Sequence, residues 1–259
     1  MGLLTRWRRQ RVDDEVQISE QDGIRYLHLG SETIQSGMRM SEPTELVLSY
    51  TRSMLAFLLF APEPRRLVNI GLGGGSLAKW IHRHLHQTQQ VVLEINPRVI
   101  ACARQYFYLP QDDARLKIIE ADGAQWVSAH ADCCEVILVD GYDGRSPALE
   151  LGTQSFYESA RRCLGEEGIL AVNLWGNDRR FDQFVRRIQA AFDGQICCVP
   201  AAQRGNVAVL AFKRIPTHTR WDELRGHAER LQCQFGIEFP DIVGSLKVLN
   251  PHTHRRLLI

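Results

Sequence analysis

The chain has 259 residues, 44% of them hydrophobic, and a formal net charge of +1. That length and apolar content suit one large domain, or one domain with an appendage, around a well-packed core. The near-neutral balance excludes a partner held mainly by bulk charge, nucleic acid above all.

Taken in order, the first eleven residues carry four arginines. They read as a solvated terminus. They hold no apolar core for a signal peptide, and Arg6 stands where a myristoylation signal needs Ser or Thr. Residues 14–38 alternate apolar and polar. Val16 and Ile18 precede Asp22-Gly23, and Ile24, Tyr26 and His28 follow. Asp-Gly between such runs predicts a β-hairpin. Residues 44–60 read as a buried helix ended by Pro62 and Pro64. The apolar stretch 54–61 within it is far shorter than the roughly 20 residues that span a bilayer, so no membrane role is expected.

Leu67, Val68 and Ile70 predict a buried strand. Gly71, Gly73, Gly74 and Gly75 predict a tight turn, and Leu77, Ala78, Trp80, Ile81 and Leu85 a helix. A strand at 91–93 closes on Glu94. Asn96-Pro97 opens a helix to about residue 106. A strand at 116–119 runs into Asp122-Gly123, with a short helix at 124–129, and a strand at 136–139 ends on Asp140. Helices at 153–163 and 179–192 alternate with strands at 169–172, 196–199 and 207–212, with Glu166–Gly168 as a turn. Beyond Pro216 one helix is predicted, at 221–234. This alternation predicts a Rossmann-like doubly wound α/β sheet with a small N-terminal β element. The expected division is 1–60, 61–215 and 216–259. The seven cysteines include the neighbours Cys133–Cys134 and Cys197–Cys198 and no C-x-x-C. They read as buried, reduced thiols of a cytoplasmic protein, with no disulfide or zinc framework.

Residues 66–94 hold the chemistry. They form a β-α-β unit whose first turn is glycine-rich and whose second strand ends on an acid. A dinucleotide fingerprint is G-x-G-x-x-G. Here the spacing is G-x-G-x-G, with Ser76 at the last dinucleotide position. That variant suits a nucleoside sulfonium, which carries adenosine and no pyrophosphate. Glu94, about 20 positions past Gly73, is where an acid accepts hydrogen bonds from a ribose diol. In such a sheet ligands lie at the carboxyl ends of the strands, where Glu94, Asp122, Asp140 and Asp143 occur in succession. Asp122 is positioned for an adenine amino group. Asp140 and Asp143 belong to VDGYDGRSP, where a reacting group would sit.

From about Gln35 to Phe212 the chain resembles the spermidine synthase family of polyamine aminopropyltransferases. The likeness lies in IGLGGG, VVLEINPRVI, EADGAQW and VILVDGYDGRSPALELGTQSFYESARRCLGEEGILAVN, in that order. The family's D-x-x-D loop, its proline and its aromatic pair match Asp140, Asp143, Pro147 and Phe156-Tyr157. The resemblance implies the sheet type of the adenosylmethionine-dependent methyltransferases. It implies decarboxylated S-adenosylmethionine as co-substrate, held by Gly71, Gly73, Gly74, Gly75, Glu94, Asp122, Gly123 and Asp140, with Gln35 and Tyr50 lining the pocket. Asp143 receives the proton of the attacking amine, putrescine or a similar small molecule. No metal takes part, and a homodimer is common among the relatives.

Three positions depart from the family pattern. Gly74 replaces an aspartate that holds the donor's amine, Gly144 replaces a proline, and Ala201-Ala202 with Leu174-Trp175-Gly176 occupy the region of a tyrosine and an acid that face the acceptor. Two rival readings follow: a methyltransferase using S-adenosylmethionine itself, and a nucleoside-binding relative without turnover. Gly74 also suggests weak discrimination between the two sulfonium donors, which an aspartate at 74 would sharpen. His82, His84 and His86 read as a solvated helix end rather than a metal site.

Overall fold

The computed structural model describes residues 8–11, 16–30, 33–141, 149–203 and 205–259. Strands β1 (Arg8–Arg11), β2 (Val16–Gln21), β3 (Ile24–Leu29) and β4 (Ile34–Arg39) form one antiparallel sheet in that order. The hairpin between β2 and β3 turns on Asp22 and Gly23, both at positive φ, as a two-residue turn requires. That turn pairs Gln21 with Ile24 and therefore Ile18 with Leu27. Directly paired residues share a face. Leu27 thus joins the apolar core on one face of β3; on the other face, where alternation put Ile24, Tyr26 and His28, Ile24 and Tyr26 are half-buried and His28 is buried against Ser19, 2.8 Å from its hydroxyl. Val16, Ile18, Leu27 and Met38 pack in one cluster with Val99, Cys102, Ala103 and Phe107.

Helix α1 covers Ser49–Met54, and a 3-10 turn covers Leu55–Leu59. The expected single helix over 44–60 is therefore shorter and tighter. All five turn residues are fully buried. A tighter turn spreads its side chains over three sides, which suits a segment enclosed all round.

The central sheet follows: β5 (Arg66–Ile70), α2 (Ser76–His84), β6 (Gln89–Glu94), α3 (Pro97–Tyr106), β7 (Leu116–Glu120), α4 (Gly123–Ser128), β8 (Cys134–Val139), α5 (Gln154–Cys163), β9 (Leu164–Trp175), α6 (Phe181–Ala191), β10 (Ile196–Pro200) and β11 (Asn206–Phe212). Its order is β10-β11-β9-β8-β5-β6-β7. The five strands from β9 to β7 are parallel, and β11 and β10 are antiparallel to their neighbours. Alternate residues feed two cores. Leu67, Val136, Leu138 and Ala171 face one side, and Val68, Ile137, Val139 and Val172 face the other. Strands covered on both faces have nearly unbroken apolar runs, which is why they are legible in the sequence. The turn expected at Glu166–Gly168 lies inside the longer β9.

Two helices close the chain, α7 (Trp221–Phe235) and α8 (Phe239–Leu249). Sequence reasoning missed α8. Its signal was present, because Phe239, Ile242, Val243 and Leu246 repeat on one helical face and Pro240 sits in the first turn. These apolar residues join the core that holds α1 and β5. Among the described residues no helix is long and apolar enough to cross a membrane.

One buried cation stands out. Lys79 on α2 is 2% exposed, and its ammonium donates to the Phe107 carbonyl at 2.8 Å, just past the end of α3. Burial pushes its pKa from the ordinary 10.5 down to about 7. The unfolded chain therefore takes up this proton first as the pH falls, and stability drops through that window. Lys79→Met is expected to raise the thermal midpoint at pH 7 and to flatten its rise between pH 7 and pH 10. An unchanged slope in a pH series of melts would show that Lys79 is charged in the folded protein.

Candidate active site

The order in which strands are added reverses between β5 and β8, since α2 leads from β5 to β6 on one side while β8 and β9 lie on the other. Open parallel sheets bind ligands at that point. The backbone there leaves no spare room. A Cβ on Gly71, which has φ +93°, would stand 2.3 Å from the Asp140 carbonyl oxygen. A Cβ on Gly123 would stand 2.5 Å from the Ile70 side chain. Glycine at both positions lets the loops after β5, β7 and β8 converge.

They converge on a cavity of about 760 Å³, walled by Gln35, Tyr50, Gly71, Gly73, Glu94, Asp122, Gly123 and Asp140 among others. That volume suits a ligand the size of a nucleoside with a side arm. Gly74 and Gly75 do not face it. Gly75 caps α2 in the left-handed region, and Gly74 is buried behind the loop. A Cβ at Gly74 would lie 2.7 Å from the Phe107 ring and 2.8 Å from Ser36 Oγ. The expectation that an aspartate at 74 tunes donor choice is therefore corrected: an added side chain there overpacks the loop.

Glu94 is buried at the end of β6. Its Oε2 accepts from the Leu72 amide and its Oε1 from the Asn96 amide, both at 2.9 Å. Burial raises its pKa, and the surrounding backbone amides, Asn96 and Leu72 foremost, oppose that rise. The carboxylate borders the cavity, where a ligand donor can reach it. Asp122 caps α4, its Oδ1 accepting from Ala124 at 2.8 Å and Gln125 at 3.1 Å. Asn69, 2% exposed, also borders the cavity, and its Oδ1 accepts no hydrogen bond. A bound N–H group would satisfy it.

Asp140 is the centre of a chain of polar side chains. Its Oδ1 accepts from Asn173 Nδ2 at 2.7 Å, and its Oδ2 from the Tyr50 hydroxyl at 3.0 Å. Asn206 Nδ2 in turn donates to Asn173 Oδ1 at 3.0 Å. The Tyr50 oxygen is also 3.3 Å from the Gln35 carbonyl. Burial raises the Asp140 pKa, and the bonds from Asn173 and Tyr50 oppose it. Sequence reasoning found Tyr50, Gln35 and Asp140 but missed Asn173 and Asn206. They stand on antiparallel neighbours β9 and β11, and only sheet pairing brings them beside β8.

Asp143, Gly144 and Pro147 lie outside the described residues. The histidines of α2 do not converge: His82 pairs with Asp113 at 2.9 Å, and His84 packs against Trp80 and Phe235.

Residues 48–219 match the sequence model of the spermine/spermidine synthase domain. The chain belongs to that family. Within it, the polyamine aminopropyltransferase of Chromobacterium violaceum is 45% identical over 245 residues, covering 95% of this chain and 94% of that protein. The spermidine synthase of Thermotoga maritima shares the fold, with a TM-score of 0.69 at 20% identity over 90% of this chain and 81% of that one. Human methyltransferase-like protein 13, solved with SAH, gives a TM-score of 0.66 at 25% identity, covering 73% of this chain and 92% of that one. The Rossmann-like sheet expected from the alternation is thus the sheet observed, in the family expected from the motifs.

The Glu94 geometry yields a test. Removing the carboxylate orphans two loop amides as well as any ligand hydroxyl, and each buried orphan costs about 1–3 kcal/mol. Glu94→Ala is expected to lower the melting temperature of ligand-free protein and to weaken adenosyl-ligand binding at least tenfold. A loss of affinity with an unchanged melting temperature would remove the carboxylate from its place under the glycine loop.

Proposed function

We propose that this family member moves an aminopropyl group from decarboxylated S-adenosylmethionine to a small amine such as putrescine and releases methylthioadenosine. The charge of the cavity carries the reading. Among the described residues, Glu94, Asp122, Asp140 and Glu150 line it, and no Lys, Arg or His does. A protein of net charge +1 thus presents four carboxylates to one ligand space. That suits a sulfonium donor and a polyamine, both cations, and repels a pyrophosphate.

In this reading Glu94 takes the ribose diol, Asp122 the adenine amino group, and Gly71 and Gly73 allow the nucleoside to approach the backbone. The amine nitrogen attacks the carbon beside the sulfonium. A C–N bond forms, the C–S bond breaks, and its electron pair neutralises the sulfur. The leaving group is activated by its own positive charge, so the remaining task is the proton. A protonated amine is not a nucleophile. Asp143 accepts the proton, while Asp140, held from both sides by Asn173 and Tyr50, keeps negative charge beside the reacting nitrogen.

Two outcomes are expected. Asp143→Asn binds the donor as wild type does and loses at least a hundredfold in turnover, within the roughly 10²–10⁴ typical of general bases. Equal losses of binding and stability would assign Asp143 to structure instead. Wild-type protein that binds the donor yet forms no methylthioadenosine with any polyamine in a panel would overturn the assignment as a whole.

The second outcome concerns pH. Activity needs Asp140 ionised, so it falls as the pH drops through the pKa of that carboxyl. The Tyr50 hydrogen bond lowers this pKa. Tyr50→Phe is therefore expected to move the acid limb of kcat/KM upward, by up to about one pH unit for one hydrogen bond. A limb that stays in place, or moves to lower pH, would show that Tyr50 does not stabilise the charged form.

A further inference from the structure

A second reactive centre lies at the amino ends of two interior strands, β8 and β9. Strand β8 begins at Cys134, and α5 ends at Cys163 where β9 starts, so three sulfurs meet far from the cavity at the carboxyl ends. The Sγ atoms of Cys133, Cys134 and Cys163 all lie within 4.8 Å of one another. Cys134 and Cys163 are buried among apolar residues, and Cys133 is partly exposed. The sulfurs of Cys133 and Cys163 are 3.2 Å apart.

Such a trio can hold a soft metal or form a disulfide, and the spacing separates the two. Thiolates sharing one zinc, with bonds of about 2.3 Å at the tetrahedral angle, sit about 3.8 Å apart. The Cys133–Cys163 pair is well inside that, and no nitrogen or oxygen ligand completes a group with the three sulfurs among the described residues. The backbone is already in register for a covalent link. The Cys133 amide donates to the Cys163 carbonyl at 2.8 Å. Segments bonded in this way run about 4.8 Å apart, inside the range of about 4.4–6.8 Å between the Cα atoms of bridged cysteines.

We propose that Cys133 and Cys163 form a peroxide-sensitive dithiol, in which partly exposed Cys133 is oxidised first and buried Cys163 resolves it to a disulfide. The surroundings of Cys133 favour its thiolate. Hydrogen bonds from Cys134, and then from Cys163, hold its pKa below the usual thiol range, with His130 and Arg66 adding positive charge, while the Cys134 thiol is pushed up. Thiolate character with access is what makes a cysteine oxidisable.

The steps balance. The Cys133 thiolate attacks one oxygen of a hydroperoxide. The S–O bond forms, the O–O bond breaks, and the leaving oxygen takes a proton as water or alcohol. Cys163 then attacks the Cys133 sulfur. The S–S bond forms, the S–O bond breaks, and hydroxide leaves as water with the Cys163 proton. One peroxide gains two electrons, and two thiols lose them. The new bond closes the segment from Cys133 to Cys163, which carries Asp140 and the Glu150 and Leu151 edge of the cavity.

The test uses reduced full-length protein, one equivalent of hydrogen peroxide, an iodoacetamide quench and peptide mapping. In the wild type Cys133 and Cys163 are expected in one cross-linked peptide pair, about 2 Da (two hydrogens) lighter than the sum of its two thiol peptides, that dithiothreitol separates. Cys163→Ala is expected to stop at a Cys133 sulfenic acid that dimedone captures. Cys133→Ser is expected to leave Cys163 unoxidised. The mapping of wild type stands even where the Cys163 variant fails to fold. Cross-links from Cys133 to Cys134 or to Cys233 of another copy, or a Cys133 that stays alkylatable after peroxide, overturn the proposal. So does stoichiometric zinc or cadmium binding by the reduced protein that needs all three thiols.

Discussion

Everything at the carboxyl edge of the sheet depends on one buried carboxylate holding two loops. Glu94 ends β6, yet its side chain reaches back to the Leu72 amide in the turn after β5 and forward to the Asn96 amide before α3. A glycine-rich turn is costly to order because glycine has the most backbone freedom to lose. Two charge-assisted hydrogen bonds offset part of that cost and fix the turn relative to its neighbouring strand. The acid assigned to the ribose is thus also the residue that shapes the floor of the site. Burial works against its ionisation, and the loop amides work for it.

The same economy of groups recurs at Asp140. Its main chain continues the ladder by donating to the Ile70 carbonyl at 2.8 Å, its carbonyl oxygen excludes any side chain from position 71, and its carboxylate receives Tyr50 and Asn173. Tyr50 comes from α1 and Asn173 from β9, so the carboxylate is oriented from two different parts of the fold. Asn206 extends the orientation to β11. A charge buried in this way is kept by its hydrogen bonds rather than by a cationic partner. An arginine or lysine in that place would neutralise the field on which the proposed sulfonium donor and amine acceptor depend.

The small N-terminal sheet both lines the cavity, through Leu29, Gln35 and Ser36, and supports it from behind. Its inner face packs on α3, and β4 brings Ser36 against the back of the glycine turn, where Ser36 Oγ lies 3.2 Å from Ser76 Oγ. Phe107 closes the other side of that turn. Between them Gly74 has no space for a side chain. Lys79, bonded to the Phe107 carbonyl, pins α2 to the end of α3 behind the same turn.

The sequence by itself determined the order of elements, the doubly wound class, the glycine turn, and the acids Glu94, Asp122 and Asp140, because apolar runs, breakers and strand-end acids are local signals. The same local reading took 44–60 as one helix, since burial on all sides blurs periodicity, and it missed α8 although the helical repeat and the first-turn proline were there to read. Only the tertiary structure decided which glycines face the cavity, which residue of β3 enters the apolar core, and which side chains orient Asp140. Those outcomes depend on register and on contacts between residues far apart in the chain. Asn173 and Asn206 carry no motif, and Cys163 lies 30 positions from its sulfur neighbour Cys133. No spacing rule reveals them, because hydrogen bonds and thiol contacts act over a few ångströms, and only the folded sheet brings these atoms that close.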